Sequence, residues 1–261
     1  MDLGFNGKSV IVTGGASNIG RAISKAFVNE GANVVIADWD EAQAQNVVAE
    51  INGDGGKALA VKVDVTDPQA VQALVDQTRA AFGSIDVLVN AVGGNKDDYF
   101  MKEDREKWNR VMQMNLWGMI NCTRAVLDQM VEQKSGAVVS VGSDAGRVGE
   151  FREGIYSACK AGVMALSKTL ARELGRHGLR FNVVCPGLTP PTAADIGEKS
   201  HWQQQLDTFT PEMLAKAAKA YPLKKLGTPA DTADAVLFMA SPRAGHITGQ
   251  VLSVSGGYTM T

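Results

Sequence analysis

Short runs rich in β-branched residues alternate with helical segments along almost the whole chain, and this alternation limits the fold more than any other feature. "SVIVT" is followed by "NIGRAISKAFVNEG", "NVVIAD" by "EAQAQNVVAEI", "ALAVKVDV" by "PQAVQALVDQTRAAFG", and "DVLVNAVG" by a helical stretch from Asp104 to Gln133. "GAVVSVGS", "IYSACKAGVMALSKTLARELGRHG" and "LRFNVVCPG" continue the rhythm, an irregular segment runs to about Gly227, and "PADTADAVLFMAS" and "QVLSVSG" close it. Runs that are apolar on both faces belong to a parallel sheet whose two sides are covered by helices. The expected fold is α/β, a doubly wound parallel sheet of about seven strands with helices on both faces.

No Pro/Ser-rich linker, repeat or low-complexity tract interrupts the pattern between Lys8 and Val254, and 261 residues, 45% of them apolar, suffice for one large core. Residues 1–261 are expected to form a single domain. A net charge of −2 without a basic cluster gives no support to a nucleic-acid or anionic-membrane partner, and points to a small molecule instead. The N-terminus lacks the regions of a signal peptide, and no run approaches the ~18 apolar residues of a membrane span, so a soluble, cytoplasmic protein is expected. Cys122, Cys159 and Cys185 are odd in number, widely spaced and set among apolar or small residues. They read as buried, reduced thiols, with no metal site expected.

In a doubly wound sheet ligands bind outside the carboxyl ends of the strands, near the point where strand order reverses. The strand exits here are Thr13 to Gly20, Asp38, Asp64, Asn90 to Gly94, Ser140 to Ser143 and Pro186 to Thr189, all with small or polar side chains. In "VIVTGGASNIG", Gly14 and Gly20 let backbone N–H groups approach a pyrophosphate at a helix N-terminus, although a plain tight turn carries the same signature. The next strand ends in Asp38, where a carboxylate can accept both hydrogen bonds of an adenosine ribose diol. Trp39, Asp40 and Glu41 follow, with no Arg or Lys nearby. A 2′-phosphate roughly 4 Å from that carboxylate would be repelled by several kcal/mol at an effective dielectric near 20, so NAD is expected over NADP. The alternative for Asp38 is a solvated turn residue or a cap for the helix from Glu41.

Tyr156 and Lys160 stand at i and i+4 in "YSACK" and share one helical face. An ammonium beside a phenol favours the phenolate, and the roughly 4 kcal/mol needed to bring a Tyr pKa from about 10 toward 7 is within the reach of one close cation in a partly dry site. Packing plus a solvated charge is the plainer explanation of the pair. Ser143 closes the strand "GAVVSVGS", where its hydroxyl can face the phenol across a substrate oxygen.

With "TGGASNIG", Asp38, "VDV" at 63–65, "NAVG" at 90–93, Asn115 in "MNLWG", Ser143, Tyr156-x-x-x-Lys160, "RFNVVCPG" and a C-terminal "SGG" in this order, the chain resembles the short-chain dehydrogenase/reductase family over essentially its whole length. The resemblance implies a Rossmann-type fold and a nicotinamide dinucleotide. It makes Tyr156 the acid/base, Ser143 the group that orients and polarises the substrate oxygen, and Lys160 the holder of the nicotinamide ribose that also lowers the Tyr pKa. Asn115 would anchor a water linking Lys160 to solvent. Gly14, Ser17, Asn18, Ile19 and Gly20 would face the pyrophosphate, and Asp38 and Trp39 the adenosine ribose. Asp64 and Val65 would flank the adenine, Asn90, Ala91, Val92 and Gly93 would line the dinucleotide, and Pro186, Gly187 and Thr189 would hold the nicotinamide end. A homotetramer, built by the seventh strand and two helices, is also implied.

Two positions depart from the family pattern. Asn18 stands where the turn's middle glycine belongs, and Ala91 replaces the second asparagine of Asn-Asn-Ala-Gly. Asn is the non-glycine residue that best tolerates left-handed backbone, so Asn18 can keep the turn and offer its amide to cap or touch phosphate.

Substrate choice is expected in Gly94 to Met101, Asp144 to Ile155 and a lid at about 188–226, which carries Trp202, Phe209 and a short amphipathic helix. Aromatic residues on a lid suit an apolar or cyclic substrate, or simply pack the lid down. Arg152 can meet an anionic group or remain solvated. "SDAGRVG" and "GQVLSVSGGYTM" are most similar to dehydrogenases of aryl or cyclic secondary alcohols and of cyclic 2-hydroxyacyl-CoA thioesters. The expected activity is therefore NAD-dependent interconversion of a secondary alcohol and its ketone. A 3-oxoacyl-thioester reductase, in the family usually NADPH-dependent, is the enzymatic alternative, and a catalytically silent dinucleotide sensor or scaffold the alternative of another class.

Overall fold

A computed structural model describes residues 2–261, with the side chains of residues 201, 204 and 205 set aside. Seven parallel strands run β1 Ser9–Thr13, β2 Asn33–Asp38, β3 Lys57–Lys62, β4 Val87–Asn90, β5 Gly136–Val141, β6 Leu179–Pro186 and β7 Val251–Val254. Their spatial order is β3-β2-β1-β4-β5-β6-β7, so the direction of winding reverses between β1 and β4, where Thr13 pairs with Asn90. This is the Rossmann-like doubly wound sheet expected from the alternation of strands and helices. Its strands are apolar on both faces for a visible reason: Val10 and Val12 of β1 point to one core, and Ile11 between them points to the other.

The helices are α1 Asn18–Asn29, α2 Glu41–Gly53, α3 Pro68–Phe82, α4 Arg105–Met112, α5 Gly118–Gln133, α6 Ala145–Val148, α7 Gly154–Leu174, α8 Pro211–Ala218 and α9 Pro229–Ala240. Helices α1, α2 and α9 bury Phe27, Val47 and Val236 on one side of the sheet; α3, α5 and α7 bury Leu74, Val126 and Ala171 on the other. Asp67 caps α3 just before Pro68, and Thr228 and Asp231 close a reciprocal capping box on α9, each satisfying N–H groups that a helix start leaves unpaired. The stretch from Asp104 to Gln133 is not one regular helix. A π-turn at Gln113–Trp117 separates α4 from α5 and carries the buried Asn115.

Candidate active site

The carboxyl ends of the strands open onto a cavity of about 960 Å³. It runs from the turn after β1, past β4, to the start of α7 and the 188–226 segment. Gly14, Ser17, Asn18, Ile19 and Gly20 lie on its wall, with Asp38, Trp39, Asp64 and Val65 at one end, Ala91, Val92 and Gly93 along the middle, and Pro186, Gly187 and Thr189 on the opposite side. Ser143, Tyr156 and Lys160 converge on the same space.

The turn is close-packed in a way that only small residues allow. Gly14 has φ +66°, and a Cβ on Gly20 would lie 2.0 Å from the Gly14 carbonyl oxygen, so the chain can bend back on itself only with glycine there. Asn18 has φ +44°, the left-handed backbone anticipated for it. Its amide does something else, however: Nδ2 donates to the Thr189 carbonyl at 3.2 Å, and Oδ1 is buried with no hydrogen-bond partner among the described residues. The contact spans the cavity instead of pointing at a phosphate.

Asp38 is buried at the rim. Its Oδ2 accepts from the Ala16 N–H at 3.1 Å and its Oδ1 from the Asp40 N–H at 3.1 Å, leaving each oxygen a further lone pair. Burial pushes its pKa above the ordinary value, against those two hydrogen bonds. The alternatives of a solvated turn or a helix cap do not describe it. Asp40 is the cap of α2, accepting from Gln43 N–H at 3.3 Å.

Two asparagines sit differently from expectation. Asn90 ends β4 with its side chain under the cavity floor, where Nδ2 donates to Thr123 Oγ1 at 3.1 Å and to Ser140 Oγ at 3.4 Å; it is not on the wall. The alternation of a strand sends it toward α5. Asn115 is likewise off the wall, its amide accepting from Gly94 N–H at 3.0 Å and donating to the Gly94 and Val111 carbonyls at 2.9 Å. A Cβ on Gly93 would fall 2.9 Å from Asn115 Oδ1 and 3.0 Å from Lys160 Nζ, so these two groups flank one glycine.

Lys160 is buried, Nζ donates to the Val141 carbonyl at 2.9 Å, and desolvation lowers its pKa to about 8. Tyr156 does not have the depressed pKa anticipated from the Lys pair. Burial pushes the phenol above its ordinary value, the Glu153 carboxylate pushes it further, and a hydrogen-bonding interaction with Ser143 pulls it back. The ammonium lies 5.4 Å from the centre of the Tyr ring and faces its π cloud. Desolvation outweighs it because the same dry setting weakens the cation as well.

The remaining wall was only broadly legible in the sequence. The 188–226 segment contributes Trp202, Phe209 and Met213, and the chain beside α7 contributes Glu150 and Glu153. Trp202 and Phe209 pack at 5.8 Å and face the cavity together. Tyr221, whose hydroxyl accepts from Leu188 N–H at 2.9 Å, stacks on Tyr258, and both line the far end. Tyr258 directly follows the "SGG" at 255–257, but that motif gave no reason to place its ring at the cavity about a hundred residues from Tyr156. Arg152 turns away: its guanidinium donates to the Asp97 carbonyl at 3.0 Å and lies over the Tyr99 ring.

Among the described residues no group of three His, Cys, Asp or Glu side chains is placed to hold a metal ion. The three cysteines are buried and unpaired, and burial pushes the Cys122 and Cys185 thiols up to about 12. No helix of the described residues is long and apolar enough to cross a membrane.

A family model described as "Enoyl-(Acyl carrier protein) reductase" matches residues 14–259. Relatives named 3-oxoacyl-[acyl-carrier-protein] reductase FabG are 35% identical over 254 residues in Staphylococcus aureus (97% of this chain, 98% of that protein). The same-named protein of Salmonella typhimurium is 34% identical over 258 residues (99% and 100%). The crystal structure of gox2181 superposes with a TM-score of 0.90 at 32% identity, covering 98% of this chain and 97% of that one. The chain belongs to the short-chain dehydrogenase/reductase family, and is an oxidoreductase of a family that binds a nicotinamide dinucleotide.

Proposed function

We propose that the protein is an NAD-dependent dehydrogenase that interconverts a secondary alcohol, aryl or cyclic in character, and its ketone. The observation that carries this is the convergence of Ser143, Tyr156 and Lys160 on the cavity whose other end is closed by the buried carboxylate of Asp38. The close-packed glycine turn and the two free lone pairs of Asp38 fit a dinucleotide: Gly14 to Gly20 would hold the pyrophosphate, Asp38 and Trp39 the adenosine ribose, Asp64 and Val65 the adenine, and Pro186 to Thr189 the nicotinamide. A nicotinamide held there would supply the hydride exchange at the carbinol carbon.

Everything else falls to the chain. Ser143 donates to the substrate oxygen and orients it, and Tyr156 moves the proton at that oxygen. A phenol held above its ordinary pKa is in the donating form at neutral pH, which favours ketone reduction there and alcohol oxidation at alkaline pH. Lys160, fixed by the Val141 carbonyl, supplies positive charge beside the phenol as a proton leaves it. Asn115 acts through Gly93, Gly94 and Lys160 as a positioning residue. The 188–226 segment serves as a lid: Arg21 holds it by donating to the Ala194 carbonyl at 2.9 Å, and Trp202, Phe209 and Met213 exclude water from the apolar end. A homotetramer belongs to the same proposal, supported by exposed Leu252 on β7 and by Met112 and Trp117 beside α4 and α5.

The names of the relatives favour a second reading, reduction of a 3-oxoacyl thioester. Asp38 opposes the 2′-phosphorylated dinucleotide usual for that activity. A silent sensor is disfavoured by the complete Ser143, Tyr156 and Lys160 set. The deciding experiment measures NADH formation from NAD and NADPH formation from NADP with aryl, cyclic and acyl-thioester secondary alcohols, using Tyr156→Phe as the blank. Activity with NAD that vanishes in the variant supports the proposal. Preference for NADP and a thioester selects the second reading, and dinucleotide binding without any turnover selects the sensor.

A further inference from the structure

The wall beside the reacting groups is acidic. Of the described side chains that line the cavity, Asp38, Asp64, Asp97, Asp144, Glu150 and Glu153 are carboxylates and Lys160 is the only cation. Most of these acids are already engaged. Asp38 holds two backbone N–H groups, Asp64 accepts from Thr66, Asp144 from Ser253, Glu150 from Tyr258 at 3.0 Å, and Asp97 from Asn95 at 3.2 Å.

Glu153 is the exception. It precedes the first residue of α7, a position from which a carboxylate commonly caps a helix, yet its side chain makes no cap hydrogen bond, and among the described residues it forms no ion pair. It stands three residues, one helical turn, before Tyr156, half-buried, and its charge is felt by both Tyr156 and Lys160. Burial and the neighbouring Asp97 and Glu150 hold its pKa up to about 7, against the pull of the Lys160 ammonium. Glu153 is thus a half-buried carboxylate on the cavity wall, one helical turn from Tyr156, placed to accept from a donor that a ligand brings.

We propose that Glu153 selects the substrate by accepting a hydrogen bond from a donor group, hydroxyl or ammonium, carried on the carbon next to the reacting carbinol. This rests on the reading of Tyr156 as the acid/base. Substrates with a carboxylate or phosphate at that carbon are repelled, since Arg152, the nearest guanidinium on this loop, is committed to the Asp97 carbonyl and the Tyr99 ring. The apolar lid then covers the rest of a ring that presents its donor to one side.

The test compares cyclohexanol, trans-1,2-cyclohexanediol, trans-2-aminocyclohexanol and trans-2-hydroxycyclohexanecarboxylate in wild type, Glu153→Gln and Glu153→Ala. Two quantities are read: the ratio of each compound's kcat/KM to that of cyclohexanol with NAD, and the calorimetric affinity of each compound for the NADH-loaded protein. In wild type the diol or the amino alcohol should exceed cyclohexanol at least tenfold, with the carboxylate below it. Glu153→Ala should bring the favourable ratios close to one. Glu153→Gln, which still accepts from a hydroxyl but carries no charge, should keep a preference for the diol and lose one for the amine, which tells the two donors apart. A purely structural role would depress all compounds in parallel and leave the ratios unmoved, and that result, or a wild-type ratio near one, would overturn the proposal. Tyr156→Phe separates the two readings: turnover surviving in it refutes the acid/base role, while calorimetry still decides on Glu153. If no compound is turned over, equal affinities for the diol and cyclohexanol overturn the proposal by themselves.

Discussion

The side-chain amide of Asn18 donates to the main-chain carbonyl of Thr189 at 3.2 Å, tying the turn after β1 to the root of the 188–226 segment across 171 residues of sequence. Asn18 is therefore two devices in one position, a residue that accepts left-handed backbone and a latch across the cavity. Replacing it by glycine removes a buried hydrogen bond worth about 1 kcal/mol and relieves a positive φ costing a similar amount, so stability should change little. Asn18→Val keeps neither advantage and should lose about 2–3 kcal/mol. Thermal melting reads the stabilities, and quenching of NADH fluorescence reads the affinity, which Asn18→Gly should hold within a few-fold and Asn18→Val should not. Faster hydrogen exchange at 190–200 in Asn18→Gly would confirm the latch. Equal behaviour of the two variants would dismiss it.

Asp38 should set the dinucleotide preference by charge. Asp38→Asn keeps an oxygen for the Ala16 or Asp40 N–H and removes the charge, whereas Asp38→Ala removes both. A unit charge near a 2′-phosphate is worth a few kcal/mol at most at an effective dielectric near 20, so the NAD/NADP ratio of kcat/KM should fall by roughly ten- to a hundredfold in Asp38→Asn. An unchanged ratio would mean that shape, not charge, makes the choice.

The pH profile should separate the two directions. Tyr156 is raised by burial first and by Glu153 second, so alcohol oxidation should increase with pH toward the alkaline range while ketone reduction stays level until the phenol ionises. Glu153 carries its charge above about pH 7, and Glu153→Gln removes it, lowering the phenol's pKa. The oxidation limb should then move to lower pH, with a gain of roughly three- to tenfold near pH 8 when chemistry limits the rate. A limb that stays in place would show that the two groups do not communicate.

Lys160 should be costly to the fold as well as necessary to the site. Its ammonium has a pKa of about 8 in the folded chain against about 10.4 when solvated, so the folded state binds the proton less well. The penalty is complete below pH 8 and disappears as pH rises through the unfolded value. At pH 7 it is on the order of 3 kcal/mol, offset by about 1 kcal/mol for the bond to Val141. Lys160→Met, without dinucleotide, should therefore melt roughly 5 °C higher at pH 7, with the gain shrinking between pH 8 and 10.5, and should have no turnover. A lower melting temperature at pH 7 would contradict this balance.

The sequence by itself determined the sheet and its ligand-binding edge. Strand and helix periodicities are local properties, and Val10, Ile11 and Val12 already declare two covered faces, while Gly14, Asp38, Ser143, Tyr156 and Lys160 sit at strand ends or one helical turn apart, where spacing alone places them. Tertiary structure decided whatever depends on partners distant in the chain or on dryness. Asn90 and Asn115 belong to the motifs but point away from the wall, because the direction of a side chain at a strand end or in a π-turn depends on what packs beneath it. Asn18 meets Thr189 only once the segment after β6 has folded back over the turn. Tyr156 carries a raised pKa beside a lysine because desolvation, a property of the assembled cavity, outweighs a cation that the same burial has weakened.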